Sequence, residues 1–341
     1  MIMRTFIWAP ARLIVGIATV LVVAVIIGGC GEDTSQSSTE PTQVKIKLAL
    51  DWYPNANHIG LYIAQEKGYF SEEGLEVEMY TPSDPSTVLQ TVGAGQDDFG
   101  ISYQPDILLA RAQGVPVVSI AGMVQHPLNS LMSLESSGIV RPGQLKGKKV
   151  GYPGIPTNEP LLGTMLKADG LAGLEDVELV NVGFNLGTSL ISGQVDAVVG
   201  AYWTHESILL ENQGHKVNVM RMEDWGVPDY YELMIVTSES KARDDMATLT
   251  KFLRAVRRGY EDAMDDPQKG VDTLVAGTKD EIDETVDRPG ADLLVPLWKP
   301  RSGAFGNQDI GRWENFTKWM QDAGLLPAEL EATDAFVNVA K

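Results

Sequence analysis

From Val44 onward, apolar positions fall into short runs with two different periods that take turns along the chain. KIKLAL (45–50) alternates polar and apolar residues, as a strand with one buried face does. IGLYIAQEKGYF then carries helical spacing over 59–67 and is stopped by Gly68. LEVEMYT (75–81) alternates again. The pattern goes on to predict a helix over 86–92, broken by Gly93-Ala94-Gly95, and a short strand at Asp98-Phe99-Gly100-Ile101-Ser102. A helix over 105–113, a strand over 117–123 and an extended run over 131–134 follow. At Lys149 the scheme restarts: strand KVGYP, a helix from Glu159, strand ELVNVGF, a helix near 188–192, and a buried strand over 195–200. After a further strand over 231–237 the chain turns helical, at 248–265, 271–276 and 310–323. Strands alternating with helices of this length imply a mostly parallel sheet and an α/β fold.

The two series share a signature. Gly95-Gln96-Asp97-Asp98-Phe99-Gly100 in the first and Gly193-Gln194-Val195-Asp196-Ala197-Val198 in the second each join a helix to a short buried strand through a glycine turn and an aspartate. Two similar α/β lobes account for this better than a short-period tandem repeat. The most chemically loaded stretch is Asp51-Trp52-Tyr53-Pro54-Asn55-Ala56-Asn57-His58, between the first strand and the first helix. A strand end followed by a polar, aromatic turn and a helix N-terminus is where α/β proteins present ligand-binding groups. A buried Asx-type turn is the plain alternative for the same residues.

The first 43 residues follow other rules. Arg4 and Arg12 precede an apolar run over 13–27, which ends in Gly28-Gly29-Cys30. A positive segment, an apolar segment and small residues at the boundary make an export signal over 1–29. The end resembles a bacterial lipobox, in which the cysteine is acylated, so Cys30 is the expected lipidation site and the cell membrane's outer face the expected location. An uncleaved anchor is the alternative. Residues 30–43 are polar and form a flexible tether. Cys30 is the sole cysteine, so no internal disulfide forms, and the net charge of -19 argues against a nucleic-acid partner.

The motifs DWYPNANHIGLYIAQEKGYFSEEGLEVEMY, VGAGQDDFGISY, ARAQGVPVVSIAG, LKGKKVGYPG and SGQVDAVVG, in that order, resemble the NMT1/THI5-like group of solute-binding proteins of ABC importers. The resemblance implies a type II periplasmic-binding-protein fold: two α/β lobes, two crossing segments, and a ligand cleft between the lobes. The crossings are expected at 129–134 and 231–237, which gives lobe one as 44–129 plus 238–341 and lobe two as 130–237. QHPLNSLMSL, NVGFNL, GAYWTHE and GVPDYYEL further resemble the branch that binds thiamine precursors, formylaminopyrimidine among them, or riboflavin. Both ligands are flat and nitrogen-rich, and the sequence leaves the choice between them open. Such rings need aromatic faces and a few fixed polar groups. Trp52, Tyr53, Tyr103, Tyr152, Tyr202, Trp203, Trp225, Tyr230 and Tyr231 are candidates for the faces; Asn55, His58, Gln125, Glu206 and Glu232 are candidates for the edges. The resemblance makes Trp52 a stacking wall and Glu206 the carboxylate that pairs with an amino-pyrimidine edge. Alternation sends Tyr230 and Glu232 to one face and Tyr231 to the other. Trp298, Trp313 and Trp319 are expected to pack.

The group also contains pyrimidine-synthesising enzymes of the same fold. Their lysine and histidine would fall where this chain has Ser102 and Asp106, and their cysteine cluster where it has Pro228-Asp229-Tyr230-Tyr231-Glu232-Leu233. Without the nucleophile that chemistry does not run, so no catalytic residue is expected. His58, His126, His205 and His215 lack metal-ligand spacing, and there is no GxSxG elbow and no phosphate loop. The expectation is a binding lipoprotein without cofactor or metal, whose partners are a vitamin or vitamin precursor, a membrane permease and the membrane itself.

Overall fold

Strand β1, Val44–Ala49, opens the fold in a computed structural model that describes residues 43–279 and 282–339. The expected leader, the Cys30 lipidation site and nearly all of the tether lie outside the described residues. In chain order the remaining strands are β2 (Leu75–Tyr80), β3 (Phe99–Ser102), β4 (Val117–Val124), β5 (Asn129–Leu134), β6 (Lys149–Tyr152), β7 (Glu178–Asn181), β8 (Ala197–Tyr202), β9 (Val217–Arg221) and β10 (Leu233–Ser238). They form two five-stranded sheets, ordered β2-β1-β3-β10-β4 and β7-β6-β8-β5-β9. Within each, the first three strands of the order are parallel. One antiparallel strand, β10 or β5, lies between the third and the last. Each antiparallel strand is the one by which the chain enters that sheet from the other.

The chain therefore crosses between lobes twice, along 125–128 and along 222–232. This corrects the expected crossings. Residues 129–134 and 231–237, expected both as extended segments and as the crossings, hold β5 and β10, which are ladder-bonded in the second and first sheets, so that each connection precedes its strand. Lobe two thus ends before Leu233, and β10 belongs to lobe one.

The repeated Gly–Asp signature does the same work in both lobes. Gly95 and Gly193 adopt left-handed backbone, with φ of 70° and 72°. Asp98 then accepts a hydrogen bond from the Lys47 backbone N–H at 2.9 Å, and Asp196 accepts one from the Lys149 N–H at 2.9 Å. In each case the carboxylate stitches the incoming strand to the edge of its neighbour.

The C-terminal part folds back onto lobe one. The helix Met246–Asp265 packs on Ile59–Glu66 so tightly that a Cβ on Gly259 would stand 1.9 Å from the Gly60 carbonyl oxygen. Aspartates cap its N-terminus and the three later ones: Asp245, Asp266, Asp283 and Asp309 each accept from a backbone N–H in the first turn. Trp298 and Trp313 are fully buried, and Trp313 stacks on Phe336 with ring centroids 5.2 Å apart. Elements not anticipated include β9, the short helices Tyr69–Glu72 and Glu239–Asp244, and the helix Glu284–Leu294, whose Pro289-Gly290 pair hides its helical period.

Candidate functional site

The turn after β1 is locked by its own polar groups. The Asn55 backbone N–H donates to His58 Nδ1 at 3.2 Å, which leaves the proton on Nε2 to be donated to Asp51 Oδ1 at 3.0 Å. Tyr103 donates its hydroxyl to the other Asp51 oxygen at 3.0 Å. Burial, with Asp51 beside it, holds the Tyr103 phenol well above its ordinary range. Asn55 caps the short turn Ala56–His58 through the Asn57 N–H, and Asp287 accepts from the Ala56 N–H at 2.6 Å. What this rigid turn presents to the second lobe is the half-buried Trp52.

A cavity lies between the lobes at the carboxyl ends of the strands. Lobe one contributes Asp51, Trp52, Asn55, Tyr103 and Pro105. Lobe two contributes Asn129, Thr157, Asn158, Gly200 and Tyr202, with His205 and Glu206 at one end and Ile155 and Leu161 as apolar wall. Tyr230 and Glu232 enter from the second crossing. The enclosed space is narrow, about 30 Å³, room for one or two waters, so a ring enters only as the lobes part.

Its polar groups are held in place from behind. Asn129 accepts from the Gly200 N–H at 2.9 Å through its side-chain oxygen and donates to Asn158 Oδ1 at 2.9 Å. Glu232 Oε2 accepts from the backbone N–H groups of Leu128 and Asn129, at 2.7 and 3.0 Å, and so ties one crossing to the other. Burial pushes the Glu232 carboxyl up to about 7, against the opposing pull of those two N–H groups. The buried Tyr202 hydroxyl stands beside it and, with that of Tyr230, pulls the Glu232 carboxyl back towards its ordinary range. Glu206 Oε2 accepts from the Tyr202 N–H at 2.7 Å, and Oε1 faces His205 Nδ1 at 3.1 Å. Burial alone would lower the His205 imidazole. Glu206, with Asp287 and Asp283 behind it, outweighs burial and raises it.

A second, larger chamber of about 310 Å³ adjoins this cavity on the outside. Trp52, Asn55, His205 and Glu206 line both and form the partition. Phe184, from the turn after β7, spans the mouth. Its ring centroid lies 4.4 Å from that of Trp52, edge-on, and 4.6 Å from that of Tyr53.

Of the residues singled out in the sequence, Trp52, Asn55, Tyr103, Tyr202, Glu206, Tyr230 and Glu232 line the inner cavity. Tyr231 points the other way, its hydroxyl accepting from the Asp309 N–H at 2.7 Å, as alternation requires. The other six are elsewhere. Tyr53 is 55% exposed and lines only the outer chamber. His58 is fully buried with both ring nitrogens used inside the turn, so it serves the loop and not the cavity. Gln125 is buried in the first crossing, where its amide donates to the Gly122 carbonyl at 3.0 Å. Tyr152 and Trp225 are half-buried and pack against the core that includes Leu131, Val150 and Val199. Trp203 also turns away: its indole N–H donates to the Pro127 carbonyl at 3.1 Å and its face lies under the Arg221 guanidinium.

The sequence reading passed over Asp51, Asn129, Thr157, Asn158, Gly200 and His205. Asn158, at the start of the helix Asn158–Ala168, carried the clearest signal, since an asparagine at that place mirrors Asn55 in the first lobe. Among the described residues, no group of three or more His, Cys, Asp or Glu side chains is placed to hold a metal ion.

Comparison with known proteins gives the following. Residues 55–270 match the family model described as NMT1/THI5 like. The chain is 37% identical over 327 residues to the formylaminopyrimidine-binding protein of Halalkalibacterium halodurans, covering 95% of this chain and 98% of that one. It is 30% identical over 235 residues to a 4-amino-5-hydroxymethyl-2-methylpyrimidine phosphate synthase of Saccharomyces cerevisiae, covering 66% of this chain and 68% of the enzyme. Among solved structures, the alkanesulfonate-binding protein SsuA of Xanthomonas axonopodis pv. citri superposes with a TM-score of 0.67 at 15% identity, over 88% of this chain and all of that one. That likeness shows the shared two-lobed binding-protein fold.

Proposed function

The chain belongs to the NMT1/THI5-like family, and on that premise we propose that it is the substrate-binding lipoprotein of an ABC importer for an aminopyrimidine of the formylaminopyrimidine type. The observation that carries this reading is the composition of the inner cavity. Aromatic faces from Trp52, Tyr103, Tyr202 and Tyr230 surround two carboxylates fixed by backbone N–H groups, Glu206 by that of Tyr202 and Glu232 by those of Leu128 and Asn129. A flat ring stacks on the former, while its exocyclic amine and ring nitrogens meet the latter in charge-assisted hydrogen bonds. Closure of the lobes excludes water and strengthens those bonds.

One feature favours a single small ring in the inner cavity over the three rings of riboflavin: the indoles of Trp203 and Trp225, which would have widened the aromatic wall, lie outside it. The synthase reading has less support: among the described residues no lysine or cysteine lines the cavity, and Ser102 and Asp106 occupy the stretch that would carry the enzyme's lysine and histidine. Tethering through Cys30 on the outer face of the membrane, and delivery to a membrane permease, complete the proposal.

The test is a mass and absorbance spectrum of whatever co-purifies with the full chain, followed by titration of the stripped protein. The proposal expects a colourless pyrimidine and tight binding of formylaminopyrimidine. A yellow protein that binds riboflavin and ignores the pyrimidine would overturn it.

A further inference from the structure

We propose that the outer chamber is a second subsite, which takes a cationic aromatic substituent carried by the ring held in the inner cavity. The inference rests on the reading of the inner cavity given above. The two spaces adjoin through the side chains of Trp52, Asn55, His205 and Glu206, so a substituent leaving the inner ring on the side of Glu206 has only those side chains to pass. The outer chamber is also the roomier of the two, about 310 Å³ against about 30 Å³. A ligand confined to one small ring would leave it unused.

Its walls define the chemistry. Tyr53 and Phe184 supply aromatic rings at the mouth, where a flat cation gains from the electron-rich faces. Asp283 and Asp287 line the chamber as well. Asp283 spends one oxygen on capping Thr285 and Asp287 spends one on the Ala56 N–H. Among the described residues, neither is ion-paired with a lysine or arginine within 4.0 Å. Against them stands the His205 imidazole, itself already held by Glu206. The balance of the chamber is negative, and its aromatic lining suits a ring more than an alkylammonium chain. The contributions come from both lobes, Phe184 from one and Tyr53, Asp283 and Asp287 from the other, so a bound second ring would bridge them.

The experiment compares two probes on the full chain by calorimetric titration: formylaminopyrimidine, with one ring, and thiamine, in which a related aminopyrimidine carries a cationic thiazolium through one carbon. Both are measured on the wild type, on Phe184→Ala and on Asp283→Asn, the last of which keeps an oxygen for capping Thr285. The expected result is that the wild type binds both, and that each variant weakens thiamine by about three- to tenfold while formylaminopyrimidine changes by less than about twofold. Unchanged thermal melts establish that both variants fold. Formylaminopyrimidine binding without thiamine binding would overturn the second subsite and leave the inner-cavity reading intact, as would variants that weaken both probes equally. Failure of formylaminopyrimidine itself would sink the inner-cavity reading, and the subsite with it.

Discussion

Asp106, on the lobe-one helix Gln104–Ala112, accepts a hydrogen bond from the hydroxyl of Thr157 in lobe two, across the closed cleft. Burial pushes the Asp106 carboxyl up to about 7, with the Thr157 bond pulling the other way, and burial takes Glu232 to about 7 as well. An acid raised in the folded state holds its proton between about pH 4 and 7, where the unfolded chain has released it. Stability therefore falls as pH rises through that window and levels off above it. Melting followed from pH 5 to pH 8 should show a loss on the order of a few kcal/mol. Asp106→Asn and Glu232→Gln should each flatten the slope; a profile unchanged in both variants would remove these two groups as its source.

Glu206 bonds the Tyr202 N–H with one oxygen and faces His205 with the other. Replacing it by glutamine keeps the shape and removes the charge. Affinity for formylaminopyrimidine should drop roughly ten- to a hundredfold, the worth of one charge-assisted hydrogen bond. Because Glu206 is the main group raising His205, the imidazole pKa followed by NMR should fall in the same variant. An affinity loss with no movement of His205 would mean that the pairing between the two side chains is wrong.

Gly259→Ala should invert a familiar rule. Alanine in a helix interior ordinarily gains about 1 kcal/mol over glycine. Here the new Cβ would sit 1.9 Å from the Gly60 carbonyl oxygen and 3.1 Å from the Ala64 Cβ, so the two helices must separate. A loss of about 3 kcal/mol in urea denaturation is expected.

Gly290 makes the corresponding close approach across the cleft, where an added Cβ would stand 2.8 Å from the Thr204 carbonyl oxygen of the other lobe. Gly290→Ala should hold the lobes apart without touching either core. Ligand affinity should fall, on the order of fivefold for a tenths-of-an-ångström offset costing about 1 kcal/mol. Small-angle scattering of the ligand-saturated protein should show a larger radius than wild type. Equal radii and equal affinities would mean that the contact is not part of closure.

Much of this architecture was legible because it is written in local signals. The glycine and aspartate pairs 95/98 and 193/196 mark two equivalent lobes in the sequence, and they prove to be two copies of one strand-stitching device. Alternation alone placed Tyr230 and Glu232 together and Tyr231 apart. What failed was of another kind. His58 has every attribute of a ligand-binding residue in sequence, but a histidine in a polar turn can spend its nitrogens on the turn, and here both are spent. The helix Glu284–Leu294 was not foreseen, since its Pro289-Gly290 pair carries no local helical signal and the sequence does not show that a glycine is wanted there so that another lobe can come close.

By itself the sequence determined the alternation of strands and helices, the doubling of the lobe, and the stock of aromatic and acidic groups near strand ends. These depend on periodicity and on turn chemistry, which act over a few residues. Only the tertiary structure decided which sheet β5 and β10 each join and between which strands, that Asn129, Asn158 and Gly200 meet, and that a second chamber opens beside Glu206. Those facts join segments from 29 to 127 residues apart or more, as in Asn129 with Asn158 and Gln104 with Tyr231. Such distances are bridged by which faces can be buried together, a property of the packed whole that no local window contains.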